Sequence, residues 1–370
     1  MKTVRRLFYA DIASSVAFVA VAFLSLFFFI DFVDELANDS RVGYSGFGAA
    51  IYSLLLMPGH LYELLPIAVL IGAIYSLARM AQSTEFTILR TGGLGPWRAL
   101  SLLATLGLLF GAVTFLVGDY GAPLAEEQAA RWQAQSRGGL QLGRTGAWLK
   151  DHSSTPDGDR SYSINVGGVA AGGALRDVRI FEFDPDGRLL RRVSAKQASL
   201  PGDGSWVLSD VRLTRWNIED STAHAPTENT RLAQMKWPSS LSAGVVAAAV
   251  LPLSTMSTLD LFRYIDHLAE NEQAAQQYQI QFWKRALYPL ACLVMMALAL
   301  PFAYLHARAG SISLKVFGGI MLGISFVLLN NVAGHLGLLR DWTPWLVASA
   351  PSALYLLLSL AAFGWLVRFQ

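Results

Sequence analysis

The 370-residue sequence holds a single cysteine, Cys292, and few charges, with Asp, Glu, Lys and Arg together making up 15%. A lone thiol excludes an internal disulfide framework, so any polar domain in the chain must be held by its own core. The phosphate loop G-x-x-x-x-G-K-[ST] is absent, which excludes a nucleotide-hydrolysing P-loop site within this polypeptide. H-E-x-x-H is absent as well, and His60, His152, His224, His267, His306 and His335 are scattered without ligand spacing. Gly43-Tyr44-Ser45-Gly46 breaks the G-x-S-x-G pattern one residue early. The expectation is a chain that is not an enzyme and binds no metal or cofactor of its own.

The charges that are present are unevenly placed. Residues 119–285 hold 18 of the 29 Lys and Arg and 19 of the 27 Asp and Glu, so this segment belongs in water. Its flanks belong in lipid, because a membrane-spanning helix needs about 20 mainly apolar residues. Runs 12–30, 99–117, 286–305, 316–329 and onward, and 342–367 carry no Asp, Glu, Lys or Arg. A sixth run, 52–77, contains Glu63, which is expensive inside a bilayer and is expected at an interfacial break before Pro66. The first run is too long for a signal peptide and no small-residue cleavage site follows Ile30, so it is expected to be retained.

Orientation follows from the basic residues of the short loops, which accumulate on the cytoplasmic side. With the N-terminus inside, Lys2, Arg5, Arg6, Arg79, Arg90, Arg98, Arg308, Lys315 and Arg368 are cytoplasmic, and only Arg41 and Arg340 fall outside. Both termini are then cytoplasmic and the polar insert is periplasmic, in a bacterial inner membrane.

Within the insert, short runs at 147–149, 162–166, 178–183 and 206–208 read as strands. They are separated by turn chemistry such as Asp184-Pro185-Asp186-Gly187 and Pro201-Gly202-Asp203-Gly204. Regularly spaced short strands favour a sandwich, jelly roll or open barrel. Trp148, Trp206 and Trp216 fit either a dense core or a lipid-lined groove. After Pro252, Ser257-x-x-Asp260 reads as a capping box, followed by an apolar face of Leu261, Tyr264, Ile265 and Leu268. Before the strands, residues 126–137 read as the third span continuing outward as a polar helix, with Arg131 near its outer mouth.

The cytoplasmic loop 79–98 predicts a short helix capped by Ser83 or Thr84, with Glu85 in its first turn, Phe86 and Leu89 on one face, and Gly92-Gly93 ending it. Glu85 there has two explanations. It can complement the helix dipole, or it can pair with a basic residue of a cytoplasmic partner while Phe86 and Leu89 fill that partner's groove.

Several stretches, in order and spacing along the whole chain, carry a resemblance to a known family. They are Phe32-Val33-Asp34-Glu35-Leu36, Ser83-Thr84-Glu85 with Gly92, Gly146-x-Trp148-x-Lys150-Asp151, Gly244-Val245-Val246 ahead of Tyr264, and Tyr278 with Phe282-Trp283-Lys284 ahead of Pro289. The chain resembles the LptF/LptG family of lipopolysaccharide export permeases, nearer its LptG side. The fold this implies is an α-helical integral membrane protein with six transmembrane helices and a periplasmic all-β, jellyroll-like domain between helices 3 and 4. Domain bounds follow as 1–137 for the first membrane half, 138–250 for the β domain, 251–285 for the amphipathic connector and 286–370 for the second half.

The resemblance further implies a heterodimer with an LptF-like sister permease, an LptB-like ATPase dimer that uses ATP and Mg, and a bridge of LptC-like and LptA-like jellyroll proteins. Lipopolysaccharide would enter from the outer leaflet between the first and fifth spans of opposite subunits. Carried over by position, Glu85 matches the coupling glutamate, with Phe86, Leu89 and Arg90 beside it, and Arg131 matches a basic residue suited to a lipid A phosphate. The outer end of the first span departs from the family, with Asp31 and Ala37-Asn38-Asp39 where lysines are common. Either phosphate recognition has moved to Arg41, Arg131 or Arg137, or the substrate is less anionic or bridged by divalent cations. Two other classes share parts of this pattern: the permease of another ATP-driven lipid or lipoprotein release system, and a structural membrane anchor for an outer β module.

Overall fold

The computed structural model of the chain describes residues 2–39, 46–93, 95–137, 140–141, 146–155, 158–170, 174–200, 205–216, 228–239, 241, 246, 256–270, 275–304 and 312–368. Two compact units emerge, Met1–Glu126 with Gln276–Gln370, and Glu127–Ala275.

The first unit is helical. Its elements are α1 (Lys2–Asp39), α2 (Gly46–Gln82), α3 (Glu85–Thr91), α4 (Pro96–Leu116) running through a π-helical turn (Val117–Gly121) into α5 (Ala122–Arg137), then α7 (Gln276–Tyr304), α8 (Ile312–Leu339) and α9 (Pro344–Arg368). The label α6 belongs to Thr258–Glu270 in the second unit. By length and composition, six helices in the described residues can cross a membrane, matching the six predicted runs. The interior forms around α2 and α7, where Leu70, Ile74, Leu77, Cys292, Met295 and Leu300 are fully buried. Helices α1, α4, α8 and α9 pack around this pair, α1 against α2 alone among its main neighbours. The outward side of α1 presents Phe18, Val21, Phe29 and Ile30.

One expectation is corrected here. Helix α2 runs unbroken through Pro58 and Pro66, so no interfacial break separates Glu63 from the span. A proline lacks the N–H that would bond to the preceding turn. Near this gap the backbone carbonyl of Glu63 accepts from the Tyr288 hydroxyl of α7 at 2.5 Å, while the Glu63 side chain is exposed.

Among the described residues the second unit is built on seven antiparallel strands: β1 (Leu140–Gln141), β2 (Ala147–Thr155), β3 (Gly158–Val169), β4 (Leu175–Phe183), β5 (Leu189–Ser199), β6 (Ser205–Arg215) and β7 (Glu228–Pro238). From β2 onward each pairs with the next, and β1 joins β3 beside β2. This is the all-β insert expected between the third and fourth spans. The sheet is rolled, because Tyr162 of β3 meets Trp237 of β7 edge-on at 5.5 Å between ring centroids. Four strand spacings of about 4.8 Å would hold these residues roughly 19 Å apart in a flat sheet. The Asp184-Gly187 turn forms as its chemistry dictates, with Gly187 donating its N–H to the Asp184 carbonyl at 3.0 Å. The second predicted turn, 201–204, lies outside the described residues.

The roll owes its curvature to a crease. Pairing skips a residue at one level in five strands, at Gly167, Asp177, Lys196, Asp210 and Ala233. Asp177 and Asp210 adopt φ of 52° and 51°, a left-handed conformation uncommon outside glycine, while the register is the same on either side. The buried positions shift phase across this line, from Leu175 to Val178, Ala198 to Ala195 and Leu208 to Val211. One face therefore stays inward although each strand bends. Of the three tryptophans weighed in the sequence, Trp206 enters this core, Trp148 is 55% exposed on the outer face, and Trp216 is half-buried.

Helix α6 begins as predicted. Ser257 Oγ accepts from the Asp260 N–H at 3.1 Å and donates to Asp260 Oδ2 at 2.6 Å, and Leu261, Tyr264 and Leu268 are buried.

Candidate functional site

Three groups of residues carry the candidate function. The first is helix α3. Thr84 opens it with φ of 62°, and its carbonyl accepts the first helical bond from Ile88 at 3.0 Å. A β-branched residue pays steric strain in that conformation, and such outliers cluster at functional sites. Gly93, at φ 96°, ends the helix in the left-handed geometry that glycine tolerates. Glu85 is exposed at the first turn, Leu89 is half-buried, and Arg90 lies in the last turn.

Phe86 departs from its expected role. It is 2% exposed and packs edge-on against Tyr304, the last residue of α7, at 5.2 Å. It anchors α3 in the chain's own core and does not present itself to a partner's groove. Ile88, 65% exposed, takes the outward apolar position. The i, i+3 spacing seen in the sequence is real, but a seven-residue pattern cannot tell which of two apolar sides faces inward.

The second group lies at the two ends of the helical bundle. At one end, Asp11 of α1 accepts from both Ser76 and Arg79 of α2. At the other, His60 of α2 bonds to Asp31 of α1 at 2.7 Å, with Phe27 against the imidazole at 4.8 Å. Asp31 is thereby engaged within the chain. Farther along, Arg285 of α7 is buried, donates to the Gly118 carbonyl of the π turn and lies 5.5 Å over the Tyr62 ring. The Tyr62 ring sits so close to Gly118 that any Cβ there would run into it. The π turn re-aims a backbone carbonyl, a device common at functional positions in helices.

Sequence inspection missed Arg285, whose signal was its place as the last charge before an uncharged span. Of the predicted phosphate-binding residues, Arg131 is on α5 with a side chain 69% exposed and an i, i+4 pair to Glu127 at 2.6 Å. Arg137 is the last residue of α5, and Arg41 lies outside the described residues. Of the three, Arg131 alone has a described side chain.

The third group is the inner face of the β roll. Ile164, Val166, Val178, Ile180, Val193, Trp206, Leu208 and Val211 line it. A polar row crosses one level of the sheet, Asp151 opposite Tyr162, Tyr162 opposite Glu182 and Glu182 opposite Arg191. Asp151 accepts from the Ser239 hydroxyl at 2.7 Å, Glu182 pairs with Arg191, and the Arg191 guanidinium lies 4.9 Å over the Trp237 ring. Burial holds the Tyr162 hydroxyl above its ordinary pKa, with the nearby Glu182 carboxylate adding to the rise. These contacts clasp β7 onto β2 through β5. Among the described residues, no group of three or more His, Cys, Asp or Glu could hold a metal ion.

Comparison with known proteins bears on the chain as a whole. Over 341 residues the chain is 28% identical to the lipopolysaccharide export system permease protein LptG of Escherichia coli (strain K12), covering 91% of each chain. It is 26% identical over 333 residues to the protein of the same name from Haemophilus influenzae, covering 89% of each. The family model for the lipopolysaccharide export system permease LptF/LptG matches residues 6–365, and with six apolar helices flanking a rolled β unit the chain belongs to that family.

Proposed function

We propose that this chain is the LptG-like permease subunit of an ATP-driven lipopolysaccharide exporter. It draws the glycolipid from the outer leaflet of the inner membrane and delivers its acyl chains into the β roll. Withdrawing a CH₂ from lipid into water costs about 0.8 kcal/mol, so a many-chained lipid needs an apolar path throughout. The inner face of the β unit offers such a path.

The observation that carries this reading is α3, which exposes Glu85 and Ile88 while Phe86 ties it to Tyr304 at the end of α7. A force applied to Glu85 would reach the most enclosed helices of the bundle directly. The motor is a separate LptB-like ATPase dimer that uses ATP and Mg, and Arg90 and Leu89 border the same contact. An LptF-like sister permease would meet the outward apolar side of α1, closing a cavity between them. LptC-like and LptA-like jellyroll proteins would extend the path toward the outer membrane.

The chain is multi-pass, and the distribution of basic loop residues supports a topology with both termini in the cytoplasm and the β unit in the periplasm. Arg131 is the proposed phosphate contact, since an exposed i, i+4 ion pair is weak enough to exchange its carboxylate for a phosphate. Arg137 and Arg41 are proposed as further phosphate contacts.

The decisive experiment is Glu85→Lys in vesicles reconstituted with the sister permease and the ATPase. ATP-driven lipopolysaccharide release should be abolished while membrane insertion is unchanged; undiminished release would remove Glu85 from the coupling contact. For the phosphate site, Arg131→Glu should weaken substrate photocrosslinking near the outer end of α5.

A further inference from the structure

The β roll contains a pair of donors that its own packing leaves unused. Trp206 of β6 and Trp237 of β7 are direct partners across the sheet and are 1% and 2% exposed. Among the described residues neither indole N–H has an acceptor. A buried N–H without a partner lowers stability, and phenylalanine would fill much the same space without that penalty. Two such donors side by side on neighbouring strands, about 5 Å apart at the backbone, can converge on a single oxygen.

The surroundings define what that oxygen belongs to. Ile164, Ile180, Leu208 and Val211 make the wall apolar, which suits a hydrocarbon chain. The nearby carboxylates are engaged, Asp151 with Ser239 and Glu182 with Arg191, and the one cation over Trp237 is that same paired Arg191. Neutral donors in an apolar wall suit a neutral acceptor, because an anion would be stripped of water without a free cation to replace it. A carbonyl, with two lone pairs, can accept from both indoles at once.

We propose that Trp206 and Trp237 form a hydrogen-bonding station for the amide or ester carbonyl at the head of an acyl chain passing through the β roll. The proposal rests on the lipid-export reading and adds which part of the substrate is recognised inside the domain. Among the described residues β7 pairs through its backbone with β6 alone, so Trp237 sits on an edge strand held from its other side by side-chain contacts. Acyl chains joined through a carbonyl are held at this point, and alkyl chains lacking one slide past it.

The test uses the full chain in nanodiscs with ¹⁵N-labelled indoles and two diazirine-bearing probes, N-tetradecanoyl-glucosamine and tetradecyl glucoside, which differ in the carbonyl. Two indole N–H resonances, those missing from Trp206→Phe and Trp237→Phe, should move downfield with the amide and stay in place with the ether. Each substitution should weaken amide binding about threefold to tenfold and leave ether binding unchanged. Photocapture mapped to β6 and β7 separates the possible failures. If both probes are captured there equally and no indole resonance moves, the station is refuted while the apolar path stands. If neither probe is captured, the lipid-export path through this domain falls, and the station with it. Should either variant fail to fold, preferential capture of the amide by the unaltered chain supports the station, and equal capture overturns it.

Discussion

The chain keeps two apolar interiors built on opposite plans. In the helical unit, α2 and α7 bury aliphatic side chains, methionine and alanine along their length, and the described ion pairs sit toward the helix ends, as with Asp11 and Arg79 or Asp31 and His60. In the β unit, polar groups reach the inner face itself: Asp151, Asn165 and Glu182 are buried and two indole donors are unmet. A membrane helix satisfies its own backbone, and polar side chains that the helical unit buries bond to helix carbonyls, Ser53 to Ala49, Thr114 to Phe110 and Arg285 to Gly118. A rolled sheet in water needs only a core, so polar capacity on its inner face is more than stability demands. The two units differ in how buried polar groups are met, by helix carbonyls in one and across strands in the other.

The largest effect that would break this contrast is a cavity in either interior. Trp206→Ala should cost the β unit about 3–5 kcal/mol, and Leu70→Ala in α2 should cost the bundle about 2–5 kcal/mol. Hydrogen exchange read by mass spectrometry should localise each loss to its own unit; a loss spreading from β6 into α2 would mean that the two interiors are one. Next in size is Glu182→Gln, which leaves Arg191 without its carboxylate beside Trp237 and should cost about 2 kcal/mol, read as faster exchange in β4, β5 and β7. Ser257→Ala removes the cap of α6 at a cost of about 1 kcal/mol, visible as fraying of its first turn.

The smallest effects depend on pH. Tyr162 titrates above its ordinary value in the folded state, so its contribution is fully present below the unfolded pKa and is lost as pH rises through the folded one. Alkaline titration should therefore loosen β3 and β7, and Tyr162→Phe should remove that limb. Asp210 has the opposite sign. The Lys196 ammonium, hydrogen-bonded to it, lowers its pKa, so the benefit is present above the unfolded value and is lost as pH falls through the folded one. Lys196→Ala should move the Asp210 carboxyl titration upward in carbon-detected NMR with little change in stability.

Sequence patterns disclosed whichever features depend on local chemistry. Five uncharged runs and a sixth carrying Glu63 became six long helices, Ser257 and Asp260 formed their box, and Gly187 made its turn. Features that depend on tertiary partners stayed hidden. Phe86 turned inward because Tyr304, more than two hundred residues away in sequence, offered it a ring, and Glu63 stayed in an unbroken helix because neighbouring groups tolerate Pro66. The crease was equally invisible, since Asp177 and Asp210 look like ordinary strand-edge acids until their register is known. Candidate phosphate residues came from position alone, and position did not reveal that Asp31 is already held by His60 or that Arg285 is drawn to the Gly118 carbonyl.

Helix α7 packs against α2, α4 and α9, whereas α2 and α4 touch each other sparsely. It is also made late, after the whole β unit has left the ribosome. During synthesis the first three spans must therefore wait in the bilayer with their inner sides unfilled, while the strands, each from β2 onward pairing with the next in sequence, can close as they emerge. The order of translation thus makes the β roll the first finished part of the molecule, and the bundle that carries it the last.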